Sequence, residues 1–202
     1  MTDFLTNHSI IMKKYLFFLA GLVLAATAHT QNYQLNPDKS EMAWAGKAAF
    51  SPYTLSGGIK PRTGKLIVEG ERIRDASLVI DMQSIRSDIA QLEKHLRSAD
   101  FFEVKGFPEA VFLLGQPIVL GGGEQAAVGV LKIKGVSNQE EIPITARMEE
   151  ATLVLEGKAV IDRTAYGIYY NSPNFFEGLK QDAIADAFEL SFRLVFEGRE
   201  AE

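Results

Sequence analysis

Cysteine is absent from the 202 residues. That excludes disulfides, thiolate metal ligands, nucleophilic thiols and a lipid-modified cysteine, whatever the redox state of the surroundings. Histidine is nearly as scarce. Of the three, His8 and His29 precede or sit at an expected processing point, which leaves His95, and one histidine among scattered carboxylates gives no metal-ligand spacing. No apolar run reaches the roughly 20 residues of a spanning helix. Positive charge is in deficit, with 21 Lys and Arg against 26 Asp and Glu, which argues against a nucleic-acid partner. Internal repeats, low-complexity tracts and interdomain linkers are also missing.

What is present begins with an export signal. Met12-Lys13-Lys14 precedes a short apolar run over 15–24, and Ala26-Thr27-Ala28 supplies the small residues a signal peptidase needs. Residues 1–28 are therefore expected to be a signal peptide, with 1–11 upstream of the true start if Met12 initiates. The expected location is periplasmic or secreted. With Lys13, Lys14 and Asp3 removed, 19 basic residues face 25 acidic ones, a net charge of −6. Residues 29–202 suit one domain with a core that needs no staples.

The dominant pattern in that domain is period-two alternation, the mark of a sheet with one face buried. Phe188, Leu190, Phe192, Leu194 and Phe196 alternate with Glu189, Ser191 and Arg193, with Val195 as the exception. Leu153, Leu155, Gly157, Ala159 and Ile161 form a second set, Ile142, Ile144, Ala146 and Met148 a third, and Met42, Trp44, Gly46, Ala48 and Phe50 a fourth. Further strands are expected over 66–69, 73–81, 110–120 and 126–134. Turn signals stand at Gly57-Gly58, Gly70, Gly121-Gly122-Gly123, Gly135 and Ser137-Asn138. Many strands with short connections predict an all-β antiparallel barrel or sandwich. Small residues on inward faces (Gly46, Ala48, Gly157, Ala159) favour the barrel, since they let strands bend or leave volume unfilled. Over 87–97 the spacing of Ile89, Leu92 and Leu96 predicts a short amphipathic helix, capped by Ser87 or Asp88 and placed near one end of the barrel. It leads into Phe101, Phe102, Phe107 and Phe112, which read as an aromatic rim beside a pocket or, singly, as core anchors.

Several ordered motifs resemble the YceI-like family. They are Trp44-Ala45-Gly46-Lys47; Leu78-Val79-Ile80-Asp81-Met82-Gln83-Ser84-Ile85; His95-Leu96-Arg97-Ser98-Ala99-Asp100-Phe101-Phe102 with Phe107-Pro108; Gly129-Val130-Leu131-Lys132-Ile133-Lys134-Gly135-Val136; and Ile161-Asp162-Arg163-Thr164-Ala165-Tyr166-Gly167-Ile168. The resemblance runs from Tyr33 to Phe196. It implies a lipocalin-like antiparallel barrel of about eight strands, and a periplasmic or secreted protein that binds polyisoprenoid or other long-chain lipid. One departure is Ser137-Asn138-Gln139-Glu140-Glu141, where many members carry a basic or hydroxylated pair followed by proline, so the mouth there is expected to be more acidic.

On this reading the chain carries an isoprenoid quinone, a polyprenyl phosphate or a fatty-acid-like molecule without catalysis, and needs no metal or other cofactor. The expected lining and rim are Trp44, Phe50, Ile80, Met82, Leu92, Leu96, Phe101, Phe102, Phe107, Phe112, Tyr166 and Ile168. Candidates for contact with a polar head are His95, Arg97, Ser98 and Arg163. Burying chain carbons contributes about 0.8 kcal/mol per methylene, which is enough to hold a lipid without a charged contact. Two rivals differ in class. A protein-interaction module would have a barrel filled by its own side chains. A small hydrolase would have a hydroxyl and a carboxylate, Ser98 and Asp100, converging on His95, although no oxyanion hole or nucleophile elbow accompanies them.

Overall fold

The computed structural model describes residues 30–199, so the expected signal peptide at 1–28 lies outside the described residues. Ten strands form one antiparallel sheet: β1 (Thr30–Leu35), β2 (Glu41–Ala48), β3 (Thr54–Glu69), β4 (Arg72–Asp81), β5 (Glu109–Leu114), β6 (Ile118–Val119), β7 (Glu124–Ile133), β8 (Val136–Glu149), β9 (Thr152–Asp162) and β10 (Ile184–Arg199). Eight of them close a ring in the order β2, β3, β4, β5, β7, β8, β9, β10, with β10 returning to β2. The other two extend broken staves. β1 pairs with the ends of β3 and β10 beyond the reach of β2, and β6 continues on β4 where β5 stops. The expected barrel of about eight strands is what forms, with two of its staves interrupted.

The interruptions have local causes. Between β1 and β2 the Asn36 side-chain oxygen accepts from the amides of Asp38 and Lys39, and Ser40 Oγ donates to the Asn36 carbonyl. This turn covers Val195 and satisfies its backbone: the Asn36 amide donates to the Val195 carbonyl at 2.8 Å, and the Val195 amide donates to Ser40 Oγ at 2.9 Å. Val195 is thus buried although it belongs to the outward set of β10, which accounts for its break in the alternation. The single strand expected over 110–120 breaks at Gly115-Gln116-Pro117, where proline cannot donate to a ladder.

Two turn signals are corrected. Gly57-Gly58 lies inside β3 and Ser137-Asn138 inside β8. Gly57 is opposite Trp44, and a Cβ there would overlap the Arg86 carbonyl oxygen and lie 2.7 Å from the Trp44 ring. The glycine therefore makes room for an indole rather than for a turn. Gly157 likewise lies under Phe192 and Gly129 under Phe112. Gly46 behaves differently, because a Cβ there meets nothing within 4 Å. Only this member of the inward glycine pair leaves volume unfilled.

The helix α1 is seven residues, Ala90–Leu96, shorter than the expected span. Its N-cap is Ile89, with no side-chain cap, in place of Ser87 or Asp88. Ser87 Oγ instead accepts from the Ile89 amide, while Glu93 accepts from the Ser87 amide, so serine shapes the approach and not the cap. Leu96 is buried and Leu92 half-buried, whereas Ile89 is exposed.

Candidate functional site

One end of the barrel opens into an apolar cavity of about 270 Å3. Its wall begins with the inward positions of β2 and β10, where Trp44, Gly46 and Ala48 face Phe188 and Leu190. Across from them stand Ile80 of β4, Leu131 and Ile133 of β7 and Ile161 of β9. The segment after β4 supplies a roof made of Met82, Ile85, Leu92, Leu96, Phe101 and Phe102. A deeper chamber of about 70 Å3 shares Ile80, Leu131, Ile161 and Leu190 with the first and adds Phe112, Phe192 and Phe196. The same four side chains stand in both walls, so the apolar interior extends well down the barrel axis.

Polar side chains in this lining are confined to Lys47, Tyr53, Arg163 and Asp182. Lys47, Tyr53 and Asp182 are exposed at the opening. Trp44 Nε1 is spent on the Arg86 carbonyl at 3.2 Å, and the Arg86 amide donates to the Gly58 carbonyl, stitching the roof segment to β2 and β3. The arrangement suits a long apolar molecule with any polar end at the mouth.

Of the predicted lining residues, the structure brings Trp44, Ile80, Met82, Leu92, Leu96, Phe101 and Phe102 together around the outer chamber, and Ile80 and Phe112 around the inner one. Four lie elsewhere. Phe50 falls past the end of β2 in a turn and is 71% exposed. Phe107 packs over Gly135 at the β7–β8 turn, where positive φ requires glycine. Tyr166 is buried away from both chambers and donates its hydroxyl to Glu140 at 2.6 Å; burial first, and then this bond, raise its pKa. Ile168 is fully buried beside it, and its carbonyl accepts from Arg163. Glu140, expected to make the mouth acidic, is thus tied to Tyr166.

Three of the four head-group candidates, Arg163, Arg97 and Ser98, make hydrogen bonds within the protein, although Arg163 also stands in the cavity lining, and the fourth, His95, keeps a buried Nε2 with no hydrogen-bond partner among the described residues. Arg163 is 2% exposed and donates to the carbonyls of Ala185, Ile168 and Ile184 and to Asp186, with its guanidinium 5.7 Å from the centre of the Phe101 ring. Burial lowers its pKa, and the charge of Asp186 opposes the shift. Arg97 donates to the carbonyls of Gln83 and Ile85 and pairs with Glu93, pinning the roof to α1. Ser98 Oγ donates to the His95 carbonyl, the habit of a hydroxyl closing a helix end. The His95 ring stands edge-on to Phe101 and Tyr170, and neither Ser98 nor Asp100 bonds to it. Among the described residues no group of His, Asp and Glu is arranged to hold a metal ion.

Sequence reasoning missed the contribution of residues 182–187, where Ala183, Ile184, Ala185 and Ala187 line the outer chamber. Ile184, Ala185 and Ala187 belong to β10, but the pairing with β2 shifts register between Ile184 and Phe188, which breaks the two-residue period there, so only the neighbouring Phe188 and Leu190 gave a signal.

Comparison with known proteins bears on this geometry. Residues 33–196 match the YceI-like domain family. A UPF0312 protein of Vibrio campbellii is 28% identical over 145 residues, which is 68% of this chain and 74% of that protein. A UPF0312 protein of Pseudomonas putida is 28% identical over 143 residues, 68% and 70% of the two chains. Among solved structures, BcnA of Burkholderia cenocepacia superimposes with a TM-score of 0.62 at 20% identity, over 80% of this chain and 98% of the other. A polyisoprenoid binding domain from Saccharophagus degradans, implicated in plant cell wall breakdown, gives 0.61 at 15% identity, over 83% and 98%. At such identities the structural likeness speaks for the fold.

Proposed function

The chain belongs to the YceI-like domain family, and from that membership together with its hollow interior we propose that it is an exported, non-catalytic binding protein that carries a long-chain apolar ligand. The observation that carries this reading is the continuous apolar wall of the cavity, whose polar groups stand at the mouth or are occupied within the protein. A barrel filled by its own side chains would lack such a space. The ligand classes that fit are an isoprenoid quinone, a polyprenyl phosphate with its phosphate outside, or a fatty-acid-like molecule. The polyisoprenoid named for the Saccharophagus degradans domain supports the first two.

Native mass spectrometry with lipid extraction, on protein purified from its own host, tests the reading. A stoichiometric long-chain lipid is the expected result, and protein recovered ligand-free under gentle conditions would overturn it. Gly46→Leu supplies the control. It projects a side chain into open cavity space and should abolish lipid recovery while the barrel stays folded. The export part of the proposal stands on the 1–28 segment, and amino-terminal sequencing of the secreted fraction is expected to read from near His29 or Gln31.

A further inference from the structure

Every exposed large aromatic side chain among the described residues lies at one end of the barrel. They are Phe50, Tyr53, Tyr169, Tyr170, Phe175 and Phe176, whereas the exposed apolar residues of the outer wall are aliphatic, such as Leu113, Val130 and Val160. That end is the mouth of the cavity. Tyr53 itself lines the opening, and the turn at 49–53 is held to the loop at 167–183 by the Ala49 amide donating to the Ala183 carbonyl at 2.9 Å. The loop is anchored to the barrel by the Ile184 amide donating to the Asn171 carbonyl, and to the roof by the edge contact of Tyr170 with His95. Phe175 packs on Tyr169 with ring centres 4.3 Å apart and is still 55% exposed.

We propose that this aromatic end docks on the surface of a zwitterionic phospholipid bilayer, with Phe175 and Phe176 entering the headgroup layer so that a lipid passes between bilayer and cavity without crossing water. The proposal rests on the carrier reading above. Three observations select a bilayer as the occupant. The aromatics sit on two segments separate in sequence, the turn at 49–53 and the loop at 167–183, joined beside the opening. Tyrosine and phenylalanine at such positions suit the interface between water and hydrocarbon. The backbone there is already partnered, with the amides of Phe175 and Phe176 donating to the Ser172 carbonyl and that of Ala48 to the Tyr53 carbonyl, so shallow insertion strands few polar groups.

Charge decides the type of bilayer. At the opening Lys47 is paired with Glu189, and by formal count Lys180 stands with Glu177 and Asp182 on the loop and Lys94 with Asp88 near the helix, so no net basic patch faces anionic lipid. Attraction is therefore apolar and insensitive to salt.

The test uses co-sedimentation with phosphatidylcholine vesicles, beside titration of cis-parinaric acid in vesicle-free buffer. Wild type should sediment with the vesicles at low and high salt. Phe175→Ser/Phe176→Ser, neither of which lines the cavity, should weaken vesicle binding by roughly tenfold or more while binding the fatty acid as wild type does. Phe50→Ser, on the separate turn, should act in the same direction, and circular dichroism checks that each variant is folded. Vesicle binding unchanged in these variants, or present only with added phosphatidylglycerol and lost in salt, overturns the docking proposal. Wild type that binds cis-parinaric acid but not vesicles overturns docking and leaves the carrier reading standing. Wild type that binds vesicles but neither cis-parinaric acid nor extracted lipid overturns the carrier reading and leaves docking in place.

Discussion

Arg163 shows how a residue that looks chemical becomes a strut. An arginine beside an apolar cavity invites a role in gripping a phosphate or carboxylate, yet its donors are taken by three carbonyls and Asp186. Truncation would strip that carboxylate of its charged partner, leaving only the Asn174 side-chain amide donating to it, and would remove a donor from each of those carbonyls in a buried place. Arg163→Ala is expected to cost about 3 to 5 kcal/mol in urea unfolding, and Arg163→Lys to recover little, because a single ammonium cannot match a planar fork spread over several acceptors. A loss within 1 kcal/mol would show the charge to be solvated and free for a ligand. The glycines make a complementary pair of tests. Gly57→Ala should destabilise by about 1 to 3 kcal/mol, since its Cβ collides with backbone and the Trp44 ring. Gly46→Ala should be neutral or stabilising by up to about 1 kcal/mol, because its Cβ enters open space. Equal effects at the two positions would contradict the contrast between a packed glycine and a vacant one.

At the scale of elements, the strands with a two-residue period were legible, and the inward residues of β9 and β10 follow the alternation, although Val154 and Val195 on the opposite face are buried as well. What hid the others is physical. The first twelve residues of β3, Thr-Leu-Ser-Gly-Gly-Ile-Lys-Pro-Arg-Thr-Gly-Lys, read as breakers because two of the glycines lie against aromatic rings, Gly57 under Trp44 and Gly64 under Phe196, and the proline falls at a register shift opposite Ile80. Neither reason is local in sequence. The candidate site was legible where it lay on inward strand positions or on the roof. It was illegible where long-range hydrogen bonds decided a residue's task, as for Arg97 and Tyr166. Another long-range feature is the square of Arg147, Glu149, Glu156 and Arg193, which ties β8, β9 and β10 on the outside of the barrel. The Arg147 hydrogen bond is the main cause that holds the Glu156 carboxyl below its ordinary pKa; Lys158 does the same for Glu189 and Lys39 for Glu197. A depressed carboxylate stabilises fully above its unfolded value, about 4.3 for glutamate, and that stabilisation is lost as pH falls through the folded value. The urea midpoint should therefore hold from neutrality to about pH 5 and fall below about pH 4.5. Arg147→Met should make that fall shallower. A midpoint that starts to drop above pH 6, or an equal slope in the variant, would deny these pairs the role.

For the whole molecule, the cavity and the stability are linked quantities. Leaving apolar volume empty forfeits contacts along the barrel axis, and a bound chain restores them only in the folded state. Ligand at a hundredfold excess over its dissociation constant adds about 2.7 kcal/mol, which for a domain of this size raises the melting temperature by roughly 5 to 10 °C. Delipidated protein should therefore melt lower than protein purified with its ligand, and adding back the extracted lipid should restore the higher value. The same arithmetic predicts the behaviour of Gly46→Leu. Its new side chain occupies part of the space a ligand would fill, so the variant should melt at or above the delipidated wild type and show no response to lipid. Scanning calorimetry of the four combinations, wild type and variant with and without lipid, checks the linkage in one experiment. If the variant gains as many degrees from lipid as the wild type, the ligand sits outside the barrel, and the hollow interior is a feature of packing with no part in binding.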